Sequence, residues 1–310
     1  MKTVPFPDRE PPYLVDAKGI LDSKGLPDAN FLGLWDSIIV DQAVKDRLLA
    51  QAVLSFTLRP KLKRSAAPFH GVILLVGPPG TGKTSLARGL ASRTAEVLNR
   101  HGKFRYLEVE PHALASAALG KSQQAVKHLL GSVVAEQAAN GPLIVVLDEV
   151  ETLAADRSRM SLEANPIDVH RATDAVLAQL DRLAEEFPSL LFVATSNFEQ
   201  AIDAAFLSRA DLVEMIDLPT PEACERILTD TVLAIADVYP KLKNIVNEGD
   251  FRLAAKRCVG LDARRIRKSV LAACARDKHT ALDPSALKSA DILAAVEQAQ
   301  AQLKRKERHK

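Results

Sequence analysis

The stretch GPPGTGKT, residues 77–84, follows directly on the apolar run VILLV at 72–76. Five consecutive apolar residues suit a strand buried on both faces of a sheet. The glycines at 77, 80 and 82 permit backbone angles closed to other residues, so successive N–H groups can point inward at phosphate oxygens. A helix starting at Lys83 adds the positive end of its dipole. The loop so read comprises Gly77, Pro78, Pro79, Gly80, Thr81, Gly82, Lys83, Thr84 and Ser85. Lys83 is expected to reach the β- and γ-phosphates, and the Thr84 hydroxyl to sit on Mg²⁺. A chain folded around this loop binds a nucleoside triphosphate.

Four further strand candidates alternate with helical stretches: KFRYLEVE (103–110), LIVVLDEV (143–150), LLFVATSN (190–197) and DLVEMIDL (211–218). Together with 72–76 they predict an α/β fold, a five-stranded parallel sheet flanked by helices. In such sheets ligands bind at the carboxyl ends of the strands, so residues that end strands carry the interest. Before the sheet, residues 1–30 are proline-rich without a sustained period and read as an extended arm. Helical spacing begins at Asp41, and the basic stretch RPKLKRSAAP (59–68) reads as a solvated loop. The large α/β domain is placed at 31–218. After it, Thr220-Pro221-Glu222 opens a helix with a hydroxyl cap, first-turn proline and early acid. Further helical stretches at about 250–277 and 284–305 make 219–310 a small all-helical domain.

Several function classes are excluded by what the chain contains. Apolar residues make up 47% of it, enough for a sizeable core, yet no run approaches the length of a membrane span. The net charge of +2 favours no polyanionic partner. Cys224, Cys258 and Cys274 have no metal or disulfide spacing and read as helix residues in a reducing, cytoplasmic compartment. The histidines form no ligand-spaced group, and no nucleophile–base signature appears. The chemistry left is nucleotide hydrolysis.

Asp148 and Glu149 stand near the end of the strand at 143–150, after its apolar run. The aspartate suits the magnesium beside Thr84, and the glutamate suits the polarisation of an attacking water. Glu151 is read as structural. Asn197 ends the next strand, where an amide can orient water and touch the γ-phosphate. Arg209, between a helix and the last strand, lies at the domain rim and is expected to serve a neighbouring subunit as an arginine finger. Arg264, at the start of a helix in GLDARRIRK (260–268), is read as reaching back over the γ-phosphate, although Arg265 and Arg267 stand beside it.

Taken in order, GPPGTGKT, VVLDEVE, ATSN, AFLSRAD and GLDARRIRK resemble the motifs of an AAA+ ATPase over roughly residues 31–277. Within that group, GLWDSIIVD, LDEVETLAADR, ANPIDVHRATDAVLAQLD and SRADLVEMIDLP are most similar to the pachytene-checkpoint family, remodellers of HORMA-domain proteins. The resemblance implies an ATP-dependent homo-hexameric ring that threads and partly unfolds a HORMA partner through its pore. It implies ATP and Mg²⁺ as cofactors, and a lid function for 219–310. Asp148, Glu149, Asn197, Arg209 and Arg264 match the family's acidic pair, polar sensor, finger and lid sensor.

Two departures stand out. Only about thirty proline-rich residues precede the ATPase core, where eukaryotic members carry a substrate-binding domain. This fits bacterial relatives, which are similar to regulators of HORMA-linked cyclic-oligonucleotide antiphage systems. In PHALASAALGKSQQ (111–124), the first pore loop, Ala118 and Leu119 stand where unfoldases usually place an aromatic. The alternatives are an AAA+ loader or initiator acting on DNA and a nucleotide-gated scaffold. Glu149 and Arg209 argue against the scaffold, and nucleic acid is not expected as the direct substrate.

Overall fold

The computed structural model describes residues 17–63, 65–66, 68–110, 122–154 and 166–308. The chain forms two compact units. One takes the residues up to Gly77 together with Lys83–Met215; the other takes Pro78–Gly82 together with the residues from Ile216 onward.

In the first unit the elements run β1 (Ile20–Leu26), α1 (Ala29–Ser37), α2 (Gln42–Thr57), β2 (Val72–Val76), α3 (Lys83–Val97) and β3 (Phe104–Val109). There follow α4 (Ser122–His128), a π-helical turn (Leu129–Val134), α5 (Ala135–Ala139), β4 (Leu143–Leu147), α6 (Pro166–Glu186), β5 (Leu190–Ser196), α7 (Ala204–Leu207) and β6 (Leu212–Met215). The sheet order is β1-β3-β4-β5-β2-β6. The five strands expected from the sequence are present and mutually parallel. Strands β2, β4 and β5 are buried along their whole length, as continuous apolar runs require.

The expected arm is corrected from residue 20 onward. Ile20–Leu26 forms a sixth strand, antiparallel to β3, with a register shift between Ile20 and Asp22. Covering the edge of β3 satisfies backbone groups that would otherwise offer a template for foreign strands. The sequence ILDSKGL has a glycine and three polar residues and shows no clean alternation, because only Leu26 of this strand is fully buried. The basic stretch is corrected at one position too. Arg59 is 5% exposed, and its guanidinium donates to the carbonyls of Ala184 and Leu190.

Register places the site. Val76 pairs with Ser196, and Leu147 pairs with Ala194. Continuing each ladder by one residue sets Gly77 level with Asn197 and Asp148 level with Thr195. The bond from the Gly77 N–H to the Ser196 carbonyl, 3.2 Å, extends the β2–β5 ladder past β2.

In the second unit, α8 (Pro221–Ala236) begins as the sequence requires, with Thr220 accepting from the Ala223 N–H at 3.2 Å. The expected helix at 250–277 is two helices, α9 (Gly249–Arg257) and α10 (Ala263–Cys274). Gly260 lies between them at φ +90°, a conformation a helix cannot contain. Short α11 (Lys278–Leu282) and long α12 (Ser289–Arg308) complete the unit. Leu228, Val232, Phe251, Ile266, Val270 and Ile292 are among its buried residues. No described helix is long and apolar enough to cross a membrane.

Candidate active site

The carboxyl ends of β2, β4 and β5 meet at one edge of the sheet, and six polar side chains there are joined by hydrogen bonds. Lys83, the first residue of α3, is 6% exposed. Its ammonium donates to the Gly77 carbonyl at 2.8 Å and to Asn197 Oδ1 at 3.0 Å. The Asn197 amide nitrogen in turn donates to Glu149 Oε1 at 3.2 Å. Asn197 therefore links the phosphate-loop lysine to the carboxylate after β4, as the sheet order β4-β5-β2 requires.

Asp148 and Glu149 leave β4 in different directions. Asp148 Oδ1 accepts from Thr84 Oγ1 at 2.7 Å and from Thr195 Oγ1 at 2.5 Å. Glu149 adopts φ 55°, ψ 52°, the left-handed region. Among the described residues no other non-glycine has positive φ. Such a conformation costs roughly 1–3 kcal/mol and persists where neighbours enforce it. Here the Glu149 N–H donates to Thr195 Oγ1 at 3.1 Å.

Sequence reasoning missed two residues of this cluster. Thr195 stood in the quoted strand end, but its role depends on lying level with Asp148 across β5, which only register reveals. Glu151, read as structural, accepts from the Asn197 N–H at 3.1 Å through Oε1, so it does border the site. Its other oxygen is buried without a hydrogen-bond partner. Three carboxylates and one lysine ammonium thus lie in this region.

The tip of the phosphate loop belongs to the second unit. Gly80 lies at φ +87°, and a side chain there would meet Asp262 Oδ1 at 2.2 Å. Thr81 Oγ1 donates to the Pro78 carbonyl at 3.0 Å, tightening the loop. The Arg264 N–H donates to the Gly80 carbonyl at 3.2 Å, whereas Arg265 Nε is paired with Asp262 at 3.2 Å. Of the clustered arginines, Arg264 is therefore the one whose backbone is fixed to the loop. Pro79 and Ser85 lie in the loop and the first turn of α3.

Arg209 does not join the cluster. Its guanidinium holds Asp181 through two bonds of 2.7 and 3.0 Å and donates to the Ala205 carbonyl at 2.7 Å. His70 Nε2 lies 3.4 Å from the same Asp181. Ala118 and Leu119 lie outside the described residues.

These residues fit a magnesium nucleotide. The fifteen-residue helix α3 offers its N-terminal N–H groups and Lys83 to phosphate oxygens. Thr84 Oγ1 and Asp148 Oδ1, in mutual contact, could give a hard dication one hydroxyl and one carboxylate oxygen. Mg²⁺ bound in this manner takes its remaining ligands from phosphate and water. In keeping with that, the described residues contain no group of three acidic, histidine or cysteine side chains that would cage a metal alone.

Known proteins resemble this chain in sequence and in fold. Residues 73–218 match the model of the ATPase family associated with various cellular activities (AAA). CD-NTase-associated protein 6 of Pseudomonas aeruginosa is 57% identical over 282 residues, covering 91% of this chain and 92% of the relative. The Pachytene checkpoint protein 2 homolog of Xenopus tropicalis is 34% identical over 224 residues, 70% of this chain, and the chain spans 51% of that longer protein. Among solved structures, C. elegans PCH-2 superposes with a TM-score of 0.71 at 25% identity, covering 93% of this chain and 77% of the other. A chain of the E. coli MS115-1 HORMA:CdnC:Trip13 complex shares the fold, with a TM-score of 0.69 at 17% identity over 91% of this chain and 95% of that one. The chain belongs to the AAA ATPases, in the pachytene-checkpoint branch that includes CD-NTase-associated protein 6.

Proposed function

We propose that this ATPase is a ring-forming remodeller that partly unfolds a HORMA-domain partner, switching its conformation or disassembling its complex within a bacterial antiphage signalling system. One observation carries the catalytic half of the reading: Asn197 bonds both Lys83 and Glu149. The partner half draws on the similarity to CD-NTase-associated protein 6 and to a chain solved in a HORMA complex.

Lys83 binds the β- and γ-phosphates, exchanging its present acceptors for theirs. Bound Mg²⁺ supplies neutralisation of the charge that develops on the phosphate oxygens. Thr84 and Asp148 would be its protein ligands. Glu149 orients and polarises the attacking water, and Asn197 fixes that carboxylate relative to the γ-phosphate. Arg264 senses nucleotide from the helical unit, which acts as the lid at 219–310. Arg209 completes the active site of the next subunit in a homo-hexamer, a heterologous ring interface. Ala118 and Leu119 grip the threaded chain through aliphatic contact. The three free cysteines are compatible with a cytoplasmic location.

The test is ATPase activity with a HORMA-domain protein from a related antiphage system and, separately, with duplex DNA. Stimulation and conformational conversion of the HORMA protein are expected, with no effect of DNA. Salt-sensitive stimulation by DNA alone would replace this reading with a DNA loader or initiator. Subunit mixing tests the ring: Arg209→Ala and Lys83→Ala chains together should exceed the summed activity of the two parents. No recovery, with subunit exchange demonstrated, would return Arg209 to its own subunit.

A further inference from the structure

We propose that Thr195 is a positioning residue for hydrolysis, a single hydroxyl that sets the directions of both acids after β4. The inference rests on the roles proposed above for Asp148 and Glu149.

Consecutive side chains of an extended strand point to opposite faces of a sheet. Asp148 and Glu149 are consecutive, yet Asp148 reaches Thr84 on α3 and Glu149 reaches Asn197 at the end of β5. The left-handed backbone at Glu149, φ 55°, is the turn by which the chain leaves the strand and aims the second carboxylate at the site. A glutamate has no intrinsic preference for that conformation, so something must hold it.

The Thr195 hydroxyl is placed to do so. It accepts from the Glu149 N–H at 3.1 Å and donates its proton to Asp148 Oδ1 at 2.5 Å. Thr195 is 1% exposed, and water therefore does not compete for either bond. It lies on central strand β5, between the strand that leads into the phosphate loop and the strand that leads into the acids. Both uses of the hydroxyl act on residues of the site. By contrast, the hydroxyls of Ser55 and Thr57 only return to carbonyls of the preceding turn of their own helix.

Thr195→Val keeps the β-branched shape and removes both bonds. Thr195→Ser keeps the hydroxyl. The expected kcat of Thr195→Val is lower by about 10–100-fold, the range for partners that orient a metal ligand. Thr195→Ser should recover most of it. ATP affinity measured by equilibrium titration with EDTA present should be unchanged, because Thr195 makes no described bond to the phosphate loop. In the same titration, the Mg²⁺ concentration needed to tighten nucleotide binding should rise in Thr195→Val, an effect independent of turnover.

Glu149→Gln is run in parallel, alone and combined with Thr195→Val. If Thr195 acts partly through Glu149, the fold-loss caused by Thr195→Val should be smaller in the Glu149→Gln background than in the parent, with the loss through Asp148 remaining. Should valine prevent folding, Thr195→Ala carries the same comparison. Wild-type kcat in the folded Thr195→Val variant, or a serine variant as slow as the valine one, would overturn the inference and leave the roles of the acids standing. Normal turnover by Glu149→Gln would overturn those roles and this inference with them.

Discussion

Two clusters of charged and hydroxyl groups are buried in the α/β unit, and they are built differently. On α3 and β3, Arg88 grips Glu108 through bonds of 2.6 and 3.0 Å, and the Tyr106 hydroxyl donates to the same carboxylate at 2.6 Å. Glu108 is 2% exposed. Its charge is matched by one guanidinium, and no unusual backbone is needed. Burial and then the Glu108 charge push the Tyr106 phenol up, keeping it a donor, while the bond to Glu108 holds the Arg88 guanidinium protonated.

The cluster at the ends of β2, β4 and β5 is unlike it on every count. Carboxylates outnumber the lysine, Glu149 is held in a left-handed conformation, and a Glu151 oxygen is buried unpaired. A network that only supports folding can reach full satisfaction. On the reading proposed above, the second cluster receives phosphates and a cation, which accounts for its excess negative charge and for donors held on replaceable partners. The excess acid is unfavourable until a dication arrives.

Mutations that separate activity from stability test the contrast. Removing the ammonium by Lys83→Ala should weaken nucleotide binding by about 10–100-fold, the loss of charged hydrogen bonds. Its melting temperature without nucleotide should fall only modestly, because the ammonium offsets part of the repulsion among the acids. A large fall would mean that this cluster is structural like the other. Arg88→Met should do the converse. It strands the Glu108 carboxylate with only Tyr106, at a cost of about 1–3 kcal/mol in denaturant unfolding. ATP turnover by the folded fraction should be unchanged, and a selective loss of kcat would move Arg88 into the functional group.

Glu151→Ala lies between these extremes. Losing the bond to the Asn197 N–H, worth about 1 kcal/mol, should lower kcat by roughly fivefold through a less fixed Asn197. Glu151→Gln, which keeps an acceptor oxygen, should restore it. The smallest effect concerns burial without function. Burial pushes the Cys258 thiol up to about 12 and the Cys224 thiol up to about 11. Burial raises the Cys274 thiol too, but Cys274 is only partly buried, so alkylation of the native protein at pH 8 should reach it first, with little change in ATPase activity. Early modification of Cys258 would show that the helical unit opens readily.

The first cluster was invisible in the sequence and the second largely legible, for a physical reason. GPPGTGKT and LDEV announce themselves because phosphate binding requires glycines at fixed spacing and an acidic pair directly after an apolar run. Arg88, Tyr106 and Glu108 belong to ordinary amphipathic patterns, and their pairing depends on how α3 crosses β3. Residues 20–26 escaped notice because a strand that only covers an edge needs no apolar alternation. Thr195 could be read as ending a strand, but not as lying level with Asp148 until the pairing of Leu147 with Ala194 was known. Arg59 illustrates the opposite error: a basic stretch looked solvated, yet one of its guanidiniums caps buried carbonyls.

The central claim is that the second cluster is a hydrolytic site in which Glu149 polarises water. The most direct measurement is the steady-state ATPase rate of Glu149→Gln beside its equilibrium affinity for ATP. The amide keeps the shape and leaves Thr84 and Asp148 for the cation. Affinity should match the parent, while turnover falls by about 10²–10⁴-fold, the range for removing a general base. Turnover at the parental rate with ATP bound would contradict the claim, and the acid that activates water would have to be sought elsewhere.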